Sequence, residues 1–72
     1  MIAYITGASS GLGAYTAQAL VDAGWTVVAG ARSFTGETDG RMTHLPLDVT
    51  RDDSVRDFME RAKQIGAPDA VI

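Results

Sequence analysis

The chain has 72 residues, of which 46% are hydrophobic, and it carries a formal net charge of −3. This composition is typical of a small globular domain or part of one, and the acidic balance argues against nucleic acid as the main partner. The absence of cysteine excludes a disulfide framework and a thiolate metal site. A single histidine among scattered acids predicts no metal cluster, and no apolar run approaches the length of a membrane span.

The first predicted strand, Ile2–Ile5, is followed directly by the glycine-rich segment Thr6–Gly13. Glycine there permits a tight turn, lets a pyrophosphate approach the backbone, and brings the next helix close to the strand. Unpaired N–H groups at the start of that helix favour a diphosphate without any lysine. The phosphate loop of nucleoside triphosphatases needs a lysine after its last glycine, and Ala14 stands there instead. The predicted cofactor contacts in this segment are Gly7, Ser9, Ser10, Gly11, Leu12 and Gly13. At least one of the two serines should touch phosphate, and the alternative is that both are ordinary turn formers.

A helix and a second strand are predicted after this segment. Ala14–Ala23 consists mostly of good helix formers, and Gly24 is a natural helix stop. Trp25–Ala31 is apolar and partly β-branched with little alternation, as in a parallel strand that is covered on both faces. Glycine, threonine and aspartate break any periodic pattern in Ser33–Arg41, so we expect a loop there.

The second half of the chain predicts a strand, a helix and the start of another strand. Met42–Leu47 should form the third strand, and Thr50 should open a helix as a capping box, accepting from backbone N–H groups. The helix should continue to Ile65, and a glycine and a proline then end it. Its apolar face should contain Val55, Phe58, Met59 and Ala62. Asp69–Ile72 should begin a fourth strand, and right-handed crossovers then give the strand order 3-2-1-4.

Two segments resemble motifs of the short-chain dehydrogenase/reductase family. Thr6–Gly13 is similar to its opening signature, Thr-Gly-x-x-x-Gly-x-Gly, and Leu47–Thr50 is similar to its segment at the end of the third strand. The resemblance covers the whole chain and implies the N-terminal half of a Rossmann-type doubly wound parallel sheet, with three α/β/α layers. It also implies that Asp48 and the backbone at Val49 hold the adenine ring. The alternative for Asp48 is an acid that helps to cap the following helix.

The resemblance implies that the catalytic residues come after Ile72. In the family, a Ser and a Tyr-x-x-x-Lys pair act on the substrate oxygen, with the Tyr as general acid or base. The only lysine here, Lys63, has no tyrosine four residues before it. We therefore predict no catalytic residue and interpret residues 1–72 as a partial NAD(P)-binding domain that is inactive alone. A non-catalytic dinucleotide-binding module and an incomplete product without function remain alternatives.

The end of the second predicted strand indicates the cofactor. In these folds an acid at this position binds the ribose 2′-hydroxyl of NAD, whereas a basic residue accepts the 2′-phosphate of NADP. Ala31 occupies the place of the acid, and Arg32 offers a planar set of donors for a phosphate. Ser33 could add a hydroxyl contact. We predict NADP as the cofactor, with NAD as the weaker alternative; the competing interpretation is that Arg32 is merely a solvated loop residue.

Other side chains are predicted to have structural roles. His44 should be a packing or surface residue, and Thr6 should bond within the glycine-rich turn. Tyr15, just inside the first helix, should be a packed aromatic rather than a substrate contact. The large residues predicted for the core are Trp25, Met42, Phe58 and Met59.

For the whole protein, the resemblance implies hydride transfer between a nicotinamide cofactor and a small carbonyl or alcohol substrate, in a homo-oligomer. Neither nucleic acid nor a membrane is expected as a partner. The N-terminus lacks a basic flank before Ile2, so we expect a mature strand rather than a signal peptide. A cytoplasmic location is the default expectation.

Overall fold

The computed structural model describes residues 1–9 and 11–72, and the predicted phosphate contact of Ser10 therefore lies outside the described residues. Within these residues the elements are β1 Ile2–Thr6, α1 Gly11–Asp22, β2 Thr26–Ala31, β3 Glu37–Asp39, β4 Met42–Pro46, α2 Asp52–Ile65 and β5 Ala70–Val71. The strands form one sheet in the order β3-β4-β2-β1-β5. The predicted order 3-2-1-4 is present as β4-β2-β1-β5, and β3 adds a strand at one edge.

The second strand lies at the centre of the sheet. It pairs in parallel with β1, where Ile2 stands opposite Thr26, and with β4, where Met42 stands opposite Val27. All of its residues after the first are buried. Its apolar run is explained by this position, because a central parallel strand is covered on both faces.

The core consists of two clusters, one on each face of the sheet. Successive strand residues point to opposite faces, so neighbours such as Tyr4 and Ile5 belong to different clusters. The cluster beneath α2 contains Tyr4, Val28, Leu45, Leu47, Phe58 and Ala62. The cluster beneath α1 contains Ile5, Ala8, Ala17, Val27 and Ala29. Because the two helices cover opposite faces, the predicted three-layer α/β/α arrangement is confirmed.

The predicted core residues are buried to different degrees. Phe58 is fully inside, whereas Trp25, Met42 and Met59 are only partly buried and pack at the margins of the two clusters. Val55, predicted on the apolar face of α2, lies at the edge of that face with 37% of its surface exposed.

The first helix begins at Gly11, three residues before the predicted start, because the last glycines of the loop already belong to its first turn. Tyr15 is exposed, so its predicted packing is wrong. Ala17 is the residue of this helix that is buried against the sheet. At 3.6 residues per turn, a position two residues from Ala17 points to the far side of the helix.

The predicted loop Ser33–Arg41 contains a strand, and this part of the prediction is wrong. β3 pairs antiparallel with β4, with Asp39 opposite Met42, so that a two-residue turn at Gly40 and Arg41 connects them. Gly40 has a φ of 59°, which is the left-handed backbone that such a hairpin turn needs at its first central position. The hydroxyl oxygens of Thr38 and Thr43 lie 3.3 Å apart across the pair.

The start of α2 also differs from the prediction. Its N-cap residue is Arg51, which makes no side-chain cap hydrogen bond, and Thr50 does not form the predicted capping box. The Thr50 hydroxyl instead donates to the carboxylate of Asp48. Asp52 and Asp53 lie in the first turn, where they suit the helix dipole. The predicted end at Ile65 is confirmed, and none of the helices described here is long and apolar enough to cross a bilayer.

Candidate cofactor site

The glycine-rich loop has the geometry that a bound diphosphate requires. Gly7 and Gly11 have φ values of 66° and 58°, a conformation that residues with a Cβ atom rarely adopt. A Cβ atom on Gly13 would collide with the carbonyl oxygen of Gly7. The helix therefore starts directly against the loop, and the N-terminal end of its dipole faces the turn after β1. The backbone N–H of Ala8 donates to the Gly30 carbonyl at 3.2 Å and ties the loop to β2.

A cleft of about 380 Å³ lies beside this loop, at the carboxyl ends of β1, β2 and β4. Five of the predicted cofactor residues line it: Gly7, Ser9, Arg32, Asp48 and Val49. Ala31, Leu47 and Thr50 complete its wall. Ligands of open α/β sheets bind at this end of the strands, so backbone and side-chain donors meet here in the place that a dinucleotide would occupy. The residues present fit such a ligand.

The other predicted contacts lie outside this cleft. Gly11, Leu12 and Gly13 form the first turn of α1, where the Leu12 side chain is 79% exposed. Ser33 lines a neighbouring hollow with Phe34 and His44, on the side of the β3–β4 hairpin. The roles of all these residues toward a cofactor stay predictions.

Asp48 is held in a fixed orientation by its neighbours. Its carboxylate oxygen Oδ1 accepts hydrogen bonds from the backbone N–H of Thr50 at 3.0 Å and from the Thr50 hydroxyl at 2.6 Å. Its own backbone N–H donates to the Ser54 hydroxyl at 2.8 Å. The bonds from Thr50 lower the pKa of Asp48, and the positive charges of Arg32 and Arg51 lower it further. The Asp48 carboxylate accepts only from Thr50, which precedes α2, so the alternative role of Asp48 as a cap of that helix is not seen among the described residues. The second carboxylate oxygen stays available for other contacts.

Arg32 follows directly after β2, beside the buried Ala31. Its side chain is exposed, and its charge is close enough to lower the pKa of Asp48. In the part of the chain that the structure describes, the Arg32 guanidinium forms neither an ion pair nor a hydrogen bond. Its donors are therefore available to a ligand, and no acidic side chain occupies position 31 to repel a phosphate.

A second hollow on the other side of Arg32 contains residues that the sequence did not single out. It measures about 300 Å³, and Arg51, Asp53 and Ser54 line it together with Arg32 and Asp48. The signal that could have identified them is the short connection between β4 and α2. Because α2 begins soon after β4 ends, the side chains of its first turn lie at the same edge of the sheet.

Two residues with predicted structural roles lie near the site. Thr6 is structural, but it bonds to the Ile72 carbonyl through its N–H at 2.9 Å and its hydroxyl at 3.1 Å, rather than within the turn. His44 packs edge-on against Phe34 with 4.8 Å between ring centroids, as expected for a packing residue. No group of three histidine or acidic side chains among residues 1–9 and 11–72 is placed to hold a metal ion.

Comparison with known proteins places this geometry in a family. The family model described as short chain dehydrogenase matches residues 1–72. Chloroplastic protochlorophyllide reductase B of Oryza sativa subsp. japonica is 41% identical over 80 residues, an alignment that covers 97% of this chain and 20% of that protein. Chloroplastic protochlorophyllide reductase of Cucumis sativus is 42% identical over 74 residues, covering 89% of this chain and 19% of that protein. The chain thus spans about a fifth of the length of these relatives.

Solved structures agree with this assignment. The alcohol dehydrogenase of the archaeon Thermococcus sibiricus, in complex with 5-hydroxy-NADP, superposes with a TM-score of 0.83 at 30% identity. The match covers 97% of this chain and 34% of that one. Because the family model extends over every residue and the fold and glycine loop agree with it, the chain belongs to the short-chain dehydrogenase family.

Proposed function

We propose that this chain is the cofactor-binding portion of an NADP-dependent oxidoreductase that transfers hydride between the nicotinamide and a small carbonyl or alcohol substrate. The observation that carries the proposal is the cleft in which the glycine loop, Arg32 and Asp48 meet. The named relatives are reductases and an alcohol dehydrogenase, which supports the reaction class. When bound, the nicotinamide supplies the hydride chemistry, and the chain supplies position and polarity.

Each part of the cleft suits one part of the cofactor. Gly7 and Ser9 line the cleft next to the N-terminus of α1, where backbone N–H groups and the Ser9 hydroxyl would hold the diphosphate. The second carboxylate oxygen of Asp48 can accept a hydrogen bond from an adenine amino group, while Thr50 fixes the first. Val49, 66% exposed, adds an apolar surface beside the ring.

The preference for NADP rests on the residues at the end of β2. A 2′-phosphate carries negative charge, and the Arg32 guanidinium can meet it with two parallel N–H donors. An acid in place of Ala31 would accept the 2′-hydroxyl of NAD and repel that phosphate. The 5-hydroxy-NADP in the Thermococcus sibiricus structure supports the same choice.

Catalysis is proposed to depend on residues outside this sequence. The 72 residues contain no Tyr-x-x-x-Lys pair, and they span about a fifth of the relatives' length. We expect the chain alone to bind cofactor without turnover, and a longer protein containing it to supply the catalytic Ser, Tyr and Lys, to form a homo-oligomer and to work in the cytoplasm. A non-catalytic dinucleotide-binding module is the second candidate, because the only lysine, Lys63, lacks a tyrosine partner.

The test is a comparison of NADPH and NADH binding by the chain, measured by calorimetry or by fluorescence of the reduced nicotinamide. We expect tighter binding of NADPH, and Arg32→Gln should weaken it roughly tenfold while NADH binding stays the same. Ala31→Asp combined with Arg32→Ile should reverse the preference. Arg56→Gln is the matched control, because Arg56 is an exposed residue of α2 outside the wall of the cleft. Equal affinities for both cofactors in the unsubstituted chain would refute the NADP assignment.

The two candidates differ in turnover. A longer protein that contains this sequence should oxidise NADPH in the presence of a carbonyl compound if the oxidoreductase proposal holds. Binding of NADPH without turnover of any carbonyl or alcohol would favour the non-catalytic module.

A further inference from the structure

The hollow of about 300 Å³ beside Arg32 contains a second arginine, Arg51, which no part of the proposed site uses so far. Arg51 is the N-cap residue of α2, so its position is fixed by the helix start, while its side chain remains 65% exposed. Arg32 and Arg51 therefore approach the same hollow from two elements, the end of β2 and the start of α2.

The Arg51 guanidinium forms an ion pair with an acid in the first turn of the same helix. Its Nη2 donates to Oδ2 of Asp53 at 3.0 Å, and its Nε donates to Oδ1 at 3.3 Å, which is a two-point pairing. The pairing lowers the pKa of Asp53 and raises that of Arg51. Both side chains are about two-thirds exposed, and an ion pair of this kind contributes little to stability. Little free energy therefore opposes an exchange of partner.

The charges around the hollow show how a phosphate could replace Asp53 as the partner of Arg51. Arg32 and Arg51 face Asp48 and Asp53, so the lining carries two charges of each sign. Asp48 is held by Thr50, whereas Asp53 is held mainly by Arg51. A phosphate that reached Arg32 could take the place of Asp53 on Arg51, because a dianion with three acceptor oxygens competes well with one carboxylate for a guanidinium.

We propose that Arg51 is a second specificity-determining residue for the 2′-phosphate of the cofactor, and that Asp53 competes with this phosphate for the Arg51 guanidinium. The proposal rests on the proposed function, since it assigns a further contact to the same ligand. It places the 2′-phosphate between Arg32 and Arg51, and it makes Asp53 a residue that weakens cofactor binding.

The test uses two small ligands that differ only in the phosphate at issue, adenosine 2′,5′-bisphosphate and adenosine 5′-monophosphate. Binding to the chain is measured by NMR titration, with the arginine Nε–H signals as reporters. We expect Arg51→Gln to weaken the bisphosphate roughly fivefold and to leave the monophosphate unchanged, and Asp53→Asn to strengthen the bisphosphate about threefold. Arg56→Gln, five residues further along α2, is the control that removes the same charge outside the hollow.

The outcomes separate this inference from the proposed function. If Arg32→Gln weakens the bisphosphate but Arg51→Gln matches the Arg56→Gln control, the NADP proposal stands and the role of Arg51 is overturned. A loss of both ligands in Arg51→Gln also overturns it, because the contact would then not be to the 2′-phosphate. If the unsubstituted chain binds both ligands equally, the NADP assignment itself fails and this inference fails with it.

Discussion

A Cβ atom on Gly13 would collide with the Gly7 carbonyl oxygen, because the first turn of α1 touches the loop that leaves β1. This contact sets the distance between the helix and the strand end. Gly7 itself lines the cleft. The two glycines therefore act together: one gives the turn its left-handed conformation, and the other lets the helix approach it.

Gly13→Ala should destabilise the chain and weaken cofactor binding. By helix propensity alone the substitution would stabilise α1 by about 1 kcal/mol. Overpacking against the Gly7 carbonyl should outweigh this gain, with a net loss of about 1–3 kcal/mol in the free energy of unfolding, measured by urea denaturation. Ala19→Ser, which adds one heavy atom at an exposed position of the same helix, is the control. An increase in stability for Gly13→Ala would show that the first turn of α1 leaves room for a side chain beside the Gly7 carbonyl.

Gly30 in the central strand should be equally intolerant of a side chain, for a different reason. A Cβ atom there would lie 2.7 Å from Leu47 Cδ2 and 2.8 Å from Phe58 Cε2. Both neighbours belong to the cluster beneath α2, so they have little room to move. We expect Gly30→Ala to lower the free energy of unfolding by about 1–3 kcal/mol, and the double substitution with Leu47→Ala to cost less than the sum of the two single substitutions. Simple additivity of the two substitutions in urea denaturation would contradict the proposed collision.

The extent to which the sequence predicted the fold depends on how local each signal is. The glycine spacing in Thr6–Gly13 and the apolar run of β2 depend on neighbouring residues, and the structure confirms the turn into α1 and the buried central strand that they predict. β3 was missed, although Asp39-Gly40 is a typical hairpin signal, because its three residues are exposed and show no apolar pattern. Its strand conformation depends on pairing with β4, a partner that no local pattern in the loop reveals.

The residues of the candidate site also differ in this respect: some are identified by a local pattern, and others depend on partners elsewhere in the chain. The place of Arg32 at the end of the second strand and the family resemblance of Leu47–Thr50 point to Arg32 and Asp48, and the structure brings both to one cleft. The sequence did not predict that the Thr50 hydroxyl donates to Asp48, because a threonine hydroxyl can accept from a helix N–H or donate to a nearby carboxylate, and no local pattern decides between these roles. The approach of Arg51 to Arg32 depends on where α2 starts, and sequence patterns locate helix ends only to within a few residues.

Asp48 should make the stability of the chain sensitive to acid. Its folded-state pKa lies below the value of about 3.9 for an unperturbed aspartate, because Thr50 donates two hydrogen bonds to the ionised form. The stabilisation is therefore fully present above that unfolded-state pKa and is lost as the pH falls through the lower folded-state pKa. We expect the free energy of unfolding to fall less between pH 6 and pH 2 in Asp48→Asn than in the unsubstituted chain. Asp22→Asn, which also removes one negative charge, is the control, and an identical pH dependence for Asp48→Asn and the unsubstituted chain would contradict the argument.

Tyr4 should make the stability of the chain sensitive to alkaline pH. Its side chain is fully buried, its ring meets Phe58 edge-on at 6.1 Å between centroids, and its hydroxyl donates to the Gly66 carbonyl at 2.5 Å. Burial raises the pKa of Tyr4, so the neutral form is favoured in the folded chain. This contribution is fully present below the unfolded-state pKa of about 10 and is lost as the pH rises through the higher folded-state pKa.

Tyr4→Phe tests both consequences. At pH 7 it should lower the free energy of unfolding by about 1 kcal/mol, because the ring contact with Phe58 is kept while the hydrogen bond to Gly66 is lost. Above pH 10 the substituted chain should lose less stability than the unsubstituted one, since it has no buried phenol to ionise. Tyr15→Phe changes an exposed phenol and should leave the stability at pH 7 within about 0.5 kcal/mol. If Tyr4→Phe and Tyr15→Phe gave the same urea midpoints at pH 7 and the same alkaline loss, the hydroxyl of Tyr4 would not connect β1 to the end of α2.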